Sequence, residues 1–287
     1  MSRIGFIGLG MMGWPMAHLL HAAGHTLVVQ EVNQEVAAGF AAEHPQTQVA
    51  RAAGDFAGCD AVITMLPNSD IVDAVVQGLL PHLRRGACVI EMSSADPNRT
   101  RALAALLQEQ GVALIDAPVS GGVKKAVAGT LAIMVGGDAQ VFAQQKPLLE
   151  CLGAAITYVG PIGAGHALKA LNNYVSAAAL LATAEAIHVG AAFGIEAATI
   201  VDVINASTGK NNTTENKAHQ FMLNGAFDSG FSLALQAKDV GIAAALGSSV
   251  KLPMELAHKV HALTADASQA LGPKADHTEL YKFVGGA

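Results

Sequence analysis

Cysteine is scarce in this chain: Cys59, Cys88 and Cys151 are the three among 287 residues, far apart in sequence and without a C-x-x-C spacing. Any disulfide scheme leaves one thiol over, which excludes a disulfide framework and makes a reducing cytoplasm the expected compartment. Charge is sparse as well. Asp, Glu, Lys and Arg make up 14% of the residues, the net charge is -6, and the basic residues are scattered. The chain therefore lacks the clustered positive charge that binding to nucleic acid or to an anionic membrane requires. The 11 histidines show no ligand spacing, His166 included, so no metal is expected. Ser120 has no G-x-S-x-G elbow around it, which leaves a serine hydrolase unsupported.

Long uninterrupted apolar runs are also few, and two segments imitate them. Arg3 precedes the apolar stretch from Ile4 to Met16 in the manner of a signal peptide, but that stretch carries regularly spaced glycines and no small-residue cleavage site. The stretch from Tyr174 to Phe193 approaches the length of a bilayer span, yet Glu185 and His188 interrupt it and alanine dominates it. It reads as a buried interdomain helix, and no membrane partner is expected.

Apolar residues are plentiful, at 52% of the chain. That content implies helices covered on more than one side, with association into a homodimer or homotetramer as one way to cover them. The length suggests about two domains. From Arg3 to about Val159, short β-rich runs alternate with helical patterns, the signature of a mainly parallel, doubly wound α/β sheet. The expected strands are 3–7, 26–30, 61–66, 87–92, 112–115, 131–135 and 156–159, most of them apolar throughout, as doubly covered strands are. After Gly160, Gly163 and Gly165 the pattern turns entirely helical. The expected division is a dinucleotide-binding domain over 1–162 and an all-helical substrate and oligomerisation domain over 163–287, joined by a long helix over about 165–193.

Gly8-Leu9-Gly10-Met11-Met12-Gly13 matches G-x-G-x-x-G. The spacing alone is weak in a chain with 30 glycines. Its context is specific: the motif follows an apolar strand and opens a helix running to about Ala23, the strand, turn and helix of a dinucleotide fold. Gly8 permits the tight turn, Gly10 lets backbone approach a pyrophosphate, and Gly13 lets helix pack on strand. Met11 and Met12 lie at the positive end of that helix, where phosphates bind. Glu31 stands 18 residues beyond Gly13, where a ribose-binding carboxylate belongs, and it repels a 2′-phosphate. NAD is the expected cofactor. NADP is less favoured, although Asn33 leaves it some room.

Lys169 and Asn173 are four residues apart at the start of the long helix, so they share one face about one turn apart. A lysine among alanines and leucines is unusual, and desolvation would make it a proton donor and acceptor. A snorkelling lysine and a capping asparagine are the plain alternatives.

Several separate blocks, together covering nearly the whole chain, resemble the β-hydroxyacid dehydrogenase family. They are Ile4 through Gly13, Met65-Leu66-Pro67, Asp116-Ala117-Pro118-Val119-Ser120-Gly121-Gly122-Val123, the run from Gly163 to Asn173, and Phe231 with Lys238-Asp239, in the family's order. Gly129-Thr130-Leu131, Gly136-Gly137 and Asp276 extend the likeness. The resemblance implies a Rossmann domain, an all-α domain, and hydride transfer between nicotinamide and a small hydroxy acid. It implies Lys169 as general acid and base, with Asn173 holding the reacting group. Ser120, Gly121 and Gly122 would cradle the substrate carboxylate. Leu66 and Pro67 would line the adenosine and ribose channel, Ser94 would lie beside the nicotinamide, and Lys238, supported by Asp239, would reach toward it. At 94 the family often has Thr, and at Glu91 it often has Asp.

Members resembling this chain act on 3-hydroxyisobutyrate, tartronate semialdehyde and glycerate, 4-hydroxybutyrate or threonate. The polar run from Asn205 to Asn216 is the expected selector, with Asn212 as a substrate contact; a polar interhelical loop is its plain alternative. The absence of an aromatic residue near Asn212 leans away from hydroxyisobutyrate and toward hydroxylated acids. A catalytically silent dinucleotide sensor or scaffold and an imine reductase of the same architecture are the competing functions.

Overall fold

The computed structural model describes residues 1–286. The chain divides between Lys169 and Ala170 into two compact units. The first alternates strands and helices: β1 (Arg3–Ile7), α1 (Gly13–Ala22), β2 (Thr26–Gln30), α2 (Gln34–Glu43), β3 (Gln48–Val49), β4 (Ala61–Thr64), α3 (Ser69–Leu79), β5 (Cys88–Glu91), α4 (Pro97–Glu109), β6 (Ala113–Asp116), β7 (Val119–Ser120), α5 (Gly122–Val127), β8 (Leu131–Gly136), α6 (Ala139–Glu150) and β9 (Gly153–Gly160). The sheet order is β3-β2-β1-β4-β5-β6-β8-β7, with β9 beside β8. Strands β1 to β6 all run parallel, whereas β8 pairs antiparallel with β6 and β7.

Alternation with a period of two explains the layering. Phe6, Leu27, Val29, Ile63, Ile90 and Ile115 join one apolar cluster. Their strand neighbours Ile7, Val28 and Val62 join a second, and Val89 and Leu114 a third. Both faces of the central strands are therefore buried, which is why these strands read as continuous apolar runs. The doubly wound expectation holds, with changes at the edges. Strand β4 stops at Thr64 rather than reaching Leu66, because Leu66 turns its amide to the Ser93 hydroxyl. The two-residue strands β3 and β7 give too little alternation to be read from sequence.

Chain order reverses at β1. From there β2 and β3 extend to one side and β4 to the other, so the loops after β1 and β4 diverge at the C-terminal edge of the sheet. That topological switch point is where open α/β sheets bind their ligands.

The long helix α7 (Ala164–Ala192) carries the chain from the first unit into the second. By length and composition it is also apolar enough to cross a membrane, a test that core helices pass as well. The second unit continues with α8 (Ala197–Asn205), α9 (Asn212–Asn216), a π-helical turn (Ala218–Met222), α10 (Leu233–Ser249), α11 (Glu255–Leu271), a 3-10 turn (His277–Glu279) and α12 (Leu280–Val284). Its cores join α7 to the helices that follow. Ala177, Leu180 and Leu181 pack with Leu233, Val240, Val260 and Leu280, and Ala184 and Ile187 with Val201 and Met222. All regular elements of this unit among the described residues are helical, as expected.

Candidate active site

The glycine loop sits at the switch point. Gly8 takes a positive φ of 98°, and Glu31, at the end of β2, accepts the Leu9 amide at 2.8 Å and the Asn33 amide at 3.1 Å. A Cβ on Gly13 would lie 1.8 Å from the Gly8 carbonyl, so helix and turn approach too closely for any side chain. Gly10 is the opposite case: a Cβ there would meet nothing within 4 Å. Helix α1 begins at Gly13 with no side-chain cap and no acid in its first turn. An open space over Gly10, uncapped helix amides and a carboxylate with lone pairs to spare fit a dinucleotide. Met11 is exposed and Met12 half-buried at that helix end.

Behind the loops after β4 and β5 lies a buried polar chain that sequence reasoning did not identify. The Leu66 amide donates to Ser93 Oγ at 2.8 Å, and the Ser93 amide donates to Glu91 Oε1 at 2.9 Å. Glu91 Oε2 is 2.6 Å from His166 Nε2, with both side chains inaccessible to solvent, and His166 Nδ1 is 2.9 Å from Thr100 Oγ1. Burial is the largest influence on the Glu91 carboxyl and pushes its pKa up, but His166 and Ser93 together hold it below the ordinary value. For His166 burial pulls the pKa down, and Glu91, with help from Asp116 and the Ser93 backbone, raises it above the ordinary value. The two shifts run in opposite directions, and both favour the charged pair of imidazolium and carboxylate.

Asp116, at the end of β6, completes this arrangement. Its Oδ1 accepts the Gly163 amide at 2.7 Å and its Oδ2 the His166 amide at 2.8 Å. A buried carboxylate thus caps the start of α7 and complements the positive end of its dipole. Lys169 is one turn further along that helix and is nearly buried, at 9% exposure. The sheet edge fixes the helix that carries the lysine. The family motif contains Asp116 without implying this cap, and histidine spacing carries no sign of an ion pair with Glu91.

In the second unit, Asn173 is buried and its Nδ2 donates to Asp239 Oδ2 at 2.6 Å. The side-chain Nδ2 of Asn172 donates to Asn173 Oδ1 at 3.2 Å. Lys238 Nζ lies 3.5 Å from the other Asp239 oxygen. Asp239 therefore serves Asn173 as well as Lys238. Phe231 and Asp276, two further marks of the resemblance, prove to be one structural feature: Asp276 accepts from the amides of Gly230 and Phe231, from Ser229 Oγ, and from the amide and hydroxyl of Thr278.

Of the remaining expected residues, Ser120 ends the short strand β7, and Gly121 and Gly122 follow exposed, both at positive φ, at the start of α5. Leu66 is half-buried, Pro67 exposed and Ser94 half-buried, in the loops after β4 and β5. Within the first unit, Gly8, Gly10, Gly13, Glu31, Leu66, Pro67 and Ser94 all follow the C-terminal ends of parallel strands, and in the second Asn173 and Lys238 share Asp239. Asn212 is exposed at the first position of α9, which Asn211 caps by accepting the amides of Thr213 and Thr214.

Comparison with known proteins agrees with this geometry. Residues 3–160 match the family model described as the NAD binding domain of 6-phosphogluconate dehydrogenase. Residues 163–284 match the one described as NAD-binding of NADP-dependent 3-hydroxyisobutyrate dehydrogenase. The NAD-dependent L-serine dehydrogenase of Pseudomonas aeruginosa is 41% identical over 266 residues, covering 88% of this chain and 89% of that protein. The 2-(hydroxymethyl)glutarate dehydrogenase of Eubacterium barkeri is 38% identical over 88% of this chain and 85% of its own length. The solved 3-hydroxyisobutyrate dehydrogenase of Mycobacterium tuberculosis with L-serine superposes with a TM-score of 0.93 at 33% identity, covering 99% of both chains. An imine reductase from Myxococcus stipitatus, at 19% identity and a TM-score of 0.68, shares the fold. Sequence blocks, sheet topology and relatives agree that the chain belongs to the NAD-dependent β-hydroxyacid dehydrogenases, the 3-hydroxyisobutyrate dehydrogenase family.

Proposed function

We propose that this enzyme interconverts a small acid of the form HOCH2–CH(R)–COO− with its semialdehyde. L-Serine, 2-(hydroxymethyl)glutarate and 3-hydroxyisobutyrate, from which the relatives take their names, share that unit and differ in R. When bound, NAD supplies the hydride chemistry, and the protein must orient the reactants and manage one proton.

Lys169 is assigned that proton: it takes it from the substrate hydroxyl during oxidation and returns it to the carbonyl oxygen during reduction. The observation that carries this reading is the anchoring of α7, since Asp116 caps the helix that holds Lys169 nearly buried. Asn173 has one N–H committed to Asp239, which leaves the other for the substrate oxygen. Ser120 and the backbone at Gly121 and Gly122 receive the substrate carboxylate. Gly8, Gly10, Met11, Met12 and Gly13 face the pyrophosphate, Leu66 and Pro67 line the adenosine and ribose channel, Ser94 lies beside the nicotinamide, and Lys238 approaches it. Glu31 favours NAD over NADP, because its charge opposes a 2′-phosphate.

The division of labour follows: residues 1–162 hold the dinucleotide, and 163–287 select the substrate and mediate self-association. Exposed Val175, Val189 and Phe193 on and just after α7 support a homo-oligomer. Free Cys59, Cys88 and Cys151 suit the cytoplasm. For an imine reductase the likeness extends to the fold alone.

Nicotinamide absorbance tests the reading, with NAD or NADP offered alongside the three acids. Lys169→Ala should lower kcat by about 10²- to 10⁴-fold while NAD affinity persists. An unchanged kcat in that variant, or no turnover by the wild type, would reject it.

A further inference from the structure

Lys217 belongs to none of the roles above, yet its Nζ donates to Ser176 Oγ at 3.2 Å. On α7, Ser176 follows Asn173 by three residues and Lys169 by seven, spacings that keep all three on one stripe. At the α-helical rise, Ser176 lies about 4.5 Å beyond Asn173 and about 10 Å beyond Lys169 along the axis. A second contact gives the direction of the neighbouring segment. Asn211 Nδ2 donates to Thr183 Oγ1 at 3.3 Å, so the stretch from 211 to 217 runs back along α7 toward Asn173 and ends with the Lys217 ammonium.

This ammonium is half-buried and short of countercharge. Among the described residues no carboxylate stands within ion-pair distance of it, and Ser176 is its hydrogen-bond acceptor. The anion it feels, Asp276, is occupied by donors from Ser229, Gly230, Phe231 and Thr278. Burial pushes Lys217 down to about 8 despite the opposing pull of Asp276. Its neighbour His277 is driven down to about 4 by burial and then by the Lys217 charge, so at neutral pH it is uncharged. A cation with unused donors, one turn beyond the residue assigned to the reacting group, is placed to take an anion from outside the protein.

We propose that Lys217 is a specificity-determining residue that receives a second carboxylate at the far end of the R arm, so that the preferred substrate is a β-hydroxy diacid. This rests on the dehydrogenase reading above. Methyl- or amino-armed substrates leave the ammonium without a partner, whereas an arm ending in carboxylate fills it.

The test is a matched pair that differs at the arm's end: 2-(hydroxymethyl)glutarate against 2-(hydroxymethyl)pentanoate, with wild type, Lys217→Met and Lys217→Arg. The wild type should prefer the diacid by about 10- to 100-fold in kcat/KM, chiefly through KM, as expected for one hydrogen bond to a charged group. Lys217→Met should erase that preference while leaving the neutral-armed acid within about twofold, and Lys217→Arg should keep most of it. Equal losses on both acids in Lys217→Met, or no diacid preference in the wild type, would overturn the proposal. A second measurement does not depend on turnover: the rise in Tm of the NAD-loaded protein with glutarate against butyrate. Greater protection by glutarate, lost in Lys217→Met, supports the anion site even if no acid is oxidised, in which case the dehydrogenase reading fails alone. Equal protection by the two removes the site.

Discussion

The two units both bury charge, but they balance it differently. In the first, Glu91 faces His166, and Asp116 takes the amides at the positive end of α7, so each carboxylate is matched by an imidazole or a helix end within the fold. In the second, Asp276 is surrounded by neutral donors, His277 is held neutral, and Lys217 is left as the uncompensated cation. A closed network rigidifies what it touches, here the loops after β4 and β5 and the helix carrying Lys169. An open one marks where a ligand completes the charge.

The sharpest way to probe the first unit is a pair of glycines. Gly13→Ala places a methyl 1.8 Å from the Gly8 carbonyl and should prevent a stable fold, seen as loss of the cooperative thermal transition. Gly10→Ala meets open space, so its Tm should match the wild type while NAD affinity, read by titration calorimetry, falls at least about tenfold. Wild-type NAD affinity in Gly10→Ala would mean that the open space is not the pyrophosphate cradle.

Next in size is Asp116→Ala, which removes two charged hydrogen bonds at the start of α7. A loss of about 2–4 kcal/mol in denaturant unfolding is expected, together with a lower kcat as Lys169 loses its fixed position. If stability falls but kcat at saturating substrate does not, the cap has no part in positioning the lysine.

The smallest effect is a pH dependence. The raised pKa of His166 means that its contribution is complete below the unfolded imidazole value of 6.5 and is lost as pH rises through the folded pKa. The lowered pKa of Glu91 means that its contribution is complete above 4.5 and is lost as pH falls through the folded pKa. The pair therefore stabilises most between those two values. His166→Gln should flatten the alkaline decline of Tm, and parallel Tm–pH curves for the two proteins would show that the imidazole does not titrate in the fold. The same comparison predicts no such flattening from substitutions at His277, whose imidazole is already neutral above about 4.

Much of the first unit was legible because its signals are local. Strand residues 3–7 and 26–30, the glycine loop and Glu31 follow one another within a single β-α-β unit, and each needs a residue type dictated by backbone conformation or close approach. Lys169 and Asn173 were legible as one helix face, since 3.6 residues per turn needs no knowledge of neighbours. The strands at 48–49 and 119–120 are too short to show a period.

The sequence by itself therefore determined the class of fold and the dinucleotide loop with its cofactor, through periodicity and local turn chemistry, and placed Lys169 and Asn173 on one helix face; their expected roles came from the family resemblance. Tertiary structure alone decided which polar groups meet. Asp116 reaches Gly163 and His166 across 47 and 50 residues, Asn173 reaches Asp239 across 66, and Lys217 reaches Ser176 across 41. No local rule relates residues so far apart. Packing of the sheet edge against α7, and of the later helices along it, brings those groups together, and burial then sets the charge each one carries.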